Sequence, residues 1–251
     1  MKLRLNKPTS GFSHFIHILL LLILPAIVFV FVRLSFVEIA TALILMSKWR
    51  MLAVKPRHWP ANIRANSVDI TVGLSLLIFM INSNSLQFQF AWAVTYAIWL
   101  IIIKPKSSQF AVSVQAFTAQ TFGLTAIFLQ WGDSSILQLV ALAWLVCYLS
   151  ARHFFSSFEE PLSVFLASVW GYFAGSAVWV LSHWLIFYGF IAQTTLVLSV
   201  VAFSLASIYY LDRTDRLSLF MRRQLVFIMI VVVLIIMIGL TRQGYVLKSQ
   251  Q

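Results

Sequence analysis

Charge is what this chain has least of. Only 10% of its 251 residues are Asp, Glu, Lys or Arg, while 61% are hydrophobic and the mean hydropathy is +0.92. A soluble domain carries roughly 25% charged residues. That shortage excludes a fully solvated surface, and no polar stretch is long enough to form a soluble domain. The expectation is one integral membrane domain over residues 1–251, opened by a short basic segment at 1–12.

Other absences narrow the chemistry. One cysteine, Cys147, excludes an intramolecular disulfide and a cysteine-paired zinc site. His14 and His17 stand three apart with no carboxylate or thiol beside them, so no metal and no cofactor are expected. The chain lacks a Gly-rich phosphate loop, a His-Glu-x-x-His pair and a Gly-x-Ser-x-Gly elbow. No small-x-small cleavage site follows the apolar run from Ile18 to Val32, so this run reads as a retained helix and not a removed leader. The 18 Lys and Arg outnumber the 7 Asp and Glu. With no soluble basic stripe to carry it, that excess points to anionic headgroups and away from nucleic acid.

What is present is a series of continuously apolar runs. A spanning helix needs about 20 mostly apolar residues, and barrel-type alternation is absent. The fold class predicted is an all-α polytopic bundle of about nine spans. They are expected over Ser13–Val32 (interrupted by Pro25), Leu34–Lys48, Ser67–Asn82, Leu86–Ile103 and Ser108–Gln130, then Ser134–Arg152, Glu159–Ser182, Ala192–Leu211 and Gln224–Leu240. The second is short, and the count is eight if it does not cross. Asn66 to Asp69 and Ser157 to Glu160 read as capping patterns, Asp133 as a cap, Lys104-Pro105-Lys106 as a helix stop and Trp131-Gly132-Asp133 as a turn. Nine spans with the N-terminus inside place 15 of the 18 basic residues on one face. Only Arg33, Arg242 and Lys248 fall on the other. This asymmetry predicts a cytoplasmic N-terminus, an external C-terminus and residence in the plasma membrane.

Four groups of residues are candidates for function. The basic stretch 48–66 interleaves Lys48, Arg50, Lys55, Arg57 and Arg64 with Trp49, Trp59, Pro56 and Pro60. It reads as an interfacial segment touching anionic lipid, or as a grip on a phosphate. Its part Lys55-Pro56-Arg57-His58-Trp59-Pro60-Ala61-Asn62 resembles the stretch ahead of the first helix in UbiA-type polyprenyl transferases. Those enzymes hold magnesium pyrophosphate on aspartate-rich motifs. Here no Asn-Asp-x-x-Asp pattern exists, so no role is carried over. Glu38, Asp69, Gln115 and Gln120 are polar groups inside apolar runs, where ionisable side chains mark function or a paired partner. Glu38 has Arg33 a turn away, and Asp69 is placed in a first helical turn near Arg64. Ala167, Gly171 and Gly175, spaced by four, form a small-residue face for close helix packing, within the chain or with another membrane protein. The functional expectation is a non-catalytic membrane scaffold or accessory subunit. The alternatives are a small-molecule or ion transporter, and an enzyme acting on a lipid-linked phosphate.

Overall fold

A computed structural model describes residues 11–51, 53–184 and 186–248, without the side chains of 12–15, 17, 50 and 239–248. Most of the N-terminal basic segment, the side chains of His14, His17 and Arg50, and those of Arg242 and Lys248 thus lie outside the described residues. Among the described residues the chain forms nine α-helices: α1 Phe12–Arg33, α2 Val37–Met46, α3 Trp59–Ile81, α4 Leu86–Ile98, α5 Gln109–Trp131, α6 Ile136–Ser156, α7 Ser163–Leu181, α8 Gln193–Arg213 and α9 Leu219–Lys248. A π-turn, Trp99–Ile103, extends α4 to Lys104. A two-residue hairpin pairs β1 Phe187–Tyr188 with β2 Ile191–Ala192.

Seven of these helices, α3 to α9, are long and apolar enough to cross a bilayer. α1 has 22 residues and carries Pro25 without interruption. α2 is shorter than the run Leu34–Lys48 expected to hold the second span. At ten residues it is about 15 Å long, half of a hydrocarbon core of about 30 Å.

Burial is inverted relative to a soluble protein. Phe88 and Phe110 are 66% exposed and Leu137 70%, while Gln193 is 1% exposed and Thr194 and Thr195 are 0%. Exposed apolar side chains around buried amides and hydroxyls suit a hydrocarbon surround, although the Thr194 and Thr195 hydroxyls meet no hydrogen-bond partner among the described residues. The architecture is compatible with an integral membrane protein.

Several helix ends differ from the predicted punctuation. α3 begins at Trp59 with Pro60 in its first turn, so residues 59–66 are helix and the interfacial stretch is only partly irregular. Pro is well placed there, since a first-turn N–H has no partner to lose. The Asn66–Asp69 capping pattern therefore lies mid-helix, and Ser67 bonds back to the Arg64 carbonyl. α6 is capped by Ser135, which accepts from Gln138, and not by Asp133. α7 starts at Ser163, beyond Glu159 and Glu160. Ser108 caps α5 as the sequence suggests, accepting from Ala111.

Three hairpins close in one way. Ser35, Glu159 and Asp215 have positive φ, at 63°, 52° and 53°. In each case the next N–H reaches back five residues: Phe36 to Phe31, Glu160 to Phe155, Arg216 to Leu211. This is the Schellman closure with a side-chain-bearing residue where glycine is usual.

The core is divided. One cluster joins α1 to α4 with one face of α5, through residues such as Val28, Ile44, Leu76 and Ala119. The second joins α5 to α8 around Leu124, Leu139, Cys147 and Leu198. α5 belongs to both. α9 packs on α8 and is tied down by Tyr188, whose hydroxyl donates to the Ile236 carbonyl at 3.0 Å.

Candidate functional site

The strongest electrostatic feature is a buried charge cluster in the first half. Asp69 is 7% exposed and lies about 15 Å along α3, not in a first turn, so a helix-terminus account of its charge fails. Its Oδ2 faces the Nζ of Lys48 and, at 2.5 Å, that of Lys104. Its Oδ1 accepts from the Trp99 indole at 2.9 Å. Arg64 is not among these partners. The half-length of α2 explains the meeting: the helix stops halfway down α3 and delivers Lys48 to the carboxylate. Lys48 thus leaves the lipid-facing set and becomes a buried counter-ion. Burying these charges costs desolvation that their mutual attraction offsets, and removing either charge strands the other. The cluster binds the ends of α2 and α4 to the middle of α3.

The remaining described members of the basic stretch do face outward. Lys55, Arg57 and Arg64 are exposed, and Arg57 donates to His58 at 2.9 Å. Trp49 and Trp59 are 58% and 38% exposed beside them. Basic and aromatic groups therefore share one protruding end, built from two short 3-10 turns and the first two turns of α3.

Glu38 is on the outer surface of α2. Its expected partner Arg33 donates instead to Gln89 at 3.4 Å. Among the described residues the acids in ion pairs are Asp69 and Glu160.

The two glutamines of α5 do separate jobs. Gln115 donates to the carbonyls of Ile103 and Lys106 at 2.8 and 2.9 Å, and its oxygen meets His153 at 3.0 Å. It satisfies the last carbonyls of α4, which have no helical partner. Gln120 accepts from the Trp170 indole at 2.9 Å and reaches the Leu198 carbonyl at 3.4 Å. It also lines a cavity; Gln115 does not.

That cavity is the main concave feature of the second half. It has a volume of about 750 Å³ and lies among α5 to α9. Its walls are apolar, with Phe117, Leu166, Phe173, Val201 and Leu205 among them, and Gln120 and Ser150 give local polar points. One end carries Tyr209, Asp212 and Arg222. Arg222 also lines a groove on the outer surface of α9, with Arg223 and Phe227, and so stands where the cavity meets the exterior.

The end of the cavity is braced from outside by Glu160. Its Oε2 accepts from the Tyr209 hydroxyl at 2.5 Å and pairs with Arg213. The Tyr209 hydrogen bond, followed by the Leu162 N–H and the Arg213 charge, holds the Glu160 carboxyl below its ordinary range. Arg213 also lies over the Tyr209 ring, 5.3 Å from its centroid. Phe154, Phe155 and Phe158 surround the same ring. None of Glu160, Tyr209 or Arg213 stands out in the sequence, because the pair is 53 residues apart.

The small-residue face of α7 is consumed inside the chain. Ala167, Gly171 and Gly175 are buried, and a Cβ on Gly171 would lie 3.1 Å from the Trp144 ring of α6. Close approach to α6 is what these residues allow. Among the described residues no three His, Cys, Asp or Glu side chains lie close enough to hold a metal.

Comparison with known proteins found no matching family model, no matching curated protein and no matching solved structure.

Proposed function

We propose that the protein is a multi-pass integral membrane protein that binds the apolar tail of an amphiphile in the cavity among α5 to α9. The cavity carries this reading: about 750 Å³ of mostly apolar space, closed by aromatics and ending in polar groups, is the shape and chemistry of a ligand site for a molecule with one oily and one polar end. It refines the accessory-component expectation into a lipid-handling one. A polar-solute path has less support, since Glu38 faces outward and both α5 glutamines are engaged. A phosphate-processing site on the basic stretch loses Lys48 to Asp69.

The end of the molecule bearing Lys55, Arg57, Arg64, Arg213 and Arg222 is the cytoplasmic one in this reading, by the bias of basic residues toward that side, and the plasma membrane is its location. Trp49 and Trp59 then sit at headgroup level, with the exposed basic residues on anionic lipid. Loops that the charge count groups on one side do meet: Lys48 with Lys104 at Asp69, and Glu160 with Arg213.

The test uses the full chain in liposomes containing a phospholipid with a diazirine in its acyl chain. Photolabelling is expected on peptides from α5, α7 and α8 that line the cavity. Filling the space with Ala202→Phe and Ala206→Phe should lower that labelling at least ~5-fold, since displacing even a few methylenes costs more than 1 kcal/mol of burial. Labelling spread evenly over the outer helix surfaces, and unchanged in the filled variant, would refute the proposal.

A further inference from the structure

The cavity lining includes one acid and one base, Asp212 and Arg222, that enter no ion pair among the described residues. We infer that it selects a zwitterionic, amine-bearing phospholipid headgroup, with the phosphate at Arg222 and the ammonium at Asp212. The inference rests on the tail-binding reading above and adds the headgroup to it.

Three observations carry it. First, Asp212 and Arg222 both line the cavity and both are exposed. The described ion pairs involve neither of them. Second, the neighbouring charges are already spoken for. Glu160 and Arg213 are paired and share Tyr209, so they brace the mouth without offering it a net charge. Asp215, Arg216 and Arg223 are outside the cavity lining. Third, Arg222 lines the outer α9 groove as well as the cavity, which is where the phosphate of a lipid must sit if its tail passes inward between the helices. A guanidinium grips phosphate through paired N–H groups. Phe154, Phe155 and Tyr209 line the same cavity as this carboxylate, and aromatic rings and a carboxylate both attract an ammonium. An anionic headgroup without an amine would satisfy Arg222 and set a second negative charge near Asp212.

The experiment compares phosphatidylethanolamine with phosphatidylglycerol, both carrying the same diazirine acyl chain, in liposomes of otherwise equal composition. Wild type should label the cavity about three- to fivefold more with phosphatidylethanolamine, the range open to a charge pair at an exposed rim. Asp212→Asn should abolish or invert the preference. Arg222→Gln should weaken labelling by both lipids. Asp215→Asn, next to the mouth but outside it, should leave the preference intact. Wild-type labelling that favours phosphatidylglycerol or shows no preference overturns the headgroup inference, as does a preference that survives Asp212→Asn or is lost equally in Asp215→Asn. Absence of cavity labelling by either lipid overturns the tail-binding reading itself. All three substituted side chains are exposed, and unchanged thermal unfolding in detergent separates a binding loss from misfolding.

Discussion

The two halves of this molecule solve the same problem in opposite ways. Both must bury polar groups in a bundle whose outside is hydrocarbon-like. The α1–α4 half packs around a carboxylate held by two lysines and an indole. The α5–α9 half leaves open space and ties Glu160, Tyr209 and Arg213 together at one end of it. A packed half with an internal ion cluster is a rigid support. A half with a cavity and a braced mouth offers the space that the proposed ligand would fill. The contrast teaches that buried charge and function need not coincide: the most deeply placed ionisable groups here hold helices together, and the candidate site is mainly apolar.

The comparison breaks first at Asp69. Asp69→Leu strands Lys48 in a nearly dry site, and the expected loss is about 3–5 kcal/mol, read by equilibrium unfolding in detergent. Adding Lys48→Met should recover a large part of it. A loss below about 1 kcal/mol for the single variant would mean that the cluster is hydrated, and the two halves would no longer differ in kind.

Overpacking sharpens the contrast. Ala40 and Ala119 are fully buried in the first core, and Ala40→Phe or Ala119→Phe should cost about 1–3 kcal/mol or more. Ala206→Phe points into the cavity and should be within about 1 kcal/mol of wild type by the same measurement. Glycine positions repeat the lesson at the seam. A Cβ on Gly123 would lie 2.7 Å from Val146 and 2.8 Å from Thr71, so Gly123→Ala should cost about 1–3 kcal/mol. Gly175→Ala meets Val140 at an ordinary 3.5 Å and should change stability by no more than about 0.5 kcal/mol.

Smaller effects are expected at the hairpins and with pH. Ser35→Gly and Asp215→Gly relieve a left-handed backbone that costs an L-residue about 1–2 kcal/mol, and should raise the unfolding temperature slightly in each half. The Glu160 tie belongs to the second half alone. Its carboxyl is held below the ordinary 4.5. The stabilisation is therefore complete above that value and is lost as pH falls through the lower, folded-state value. Thermal unfolding between about pH 7 and pH 3.5 should show this loss in wild type and a flatter profile in Glu160→Gln.

Much of the fold was legible because hydrocarbon imposes a one-dimensional rule. Long apolar runs interrupted by polar or basic turns mark helices, and the runs for α4, α5 and α6 are placed within a few residues of the observed elements. α3 was misjudged at its start because Trp59 to Asn66 is polar enough to pass for a loop, although Pro60 was a first-turn signal. Ser47 and Lys48 read as a snorkelling end of α2, whereas the structure buries Lys48. The carboxylate that makes Lys48 a buried residue is 21 positions away.

By itself the sequence determined the helical class and the apolar exterior. Each follows from composition and local order, which the solvent reads directly. Only the tertiary structure decided which polar groups meet. It took Lys48 from lipid to Asp69, put Gln115 on the end of α4, spent the small face of α7 on α6, and gathered Tyr209, Asp212 and Arg222 at a cavity mouth. The reason is physical: in a bundle, partners are set by helix ends and depths, and residues far apart in the chain share a depth that no local pattern encodes.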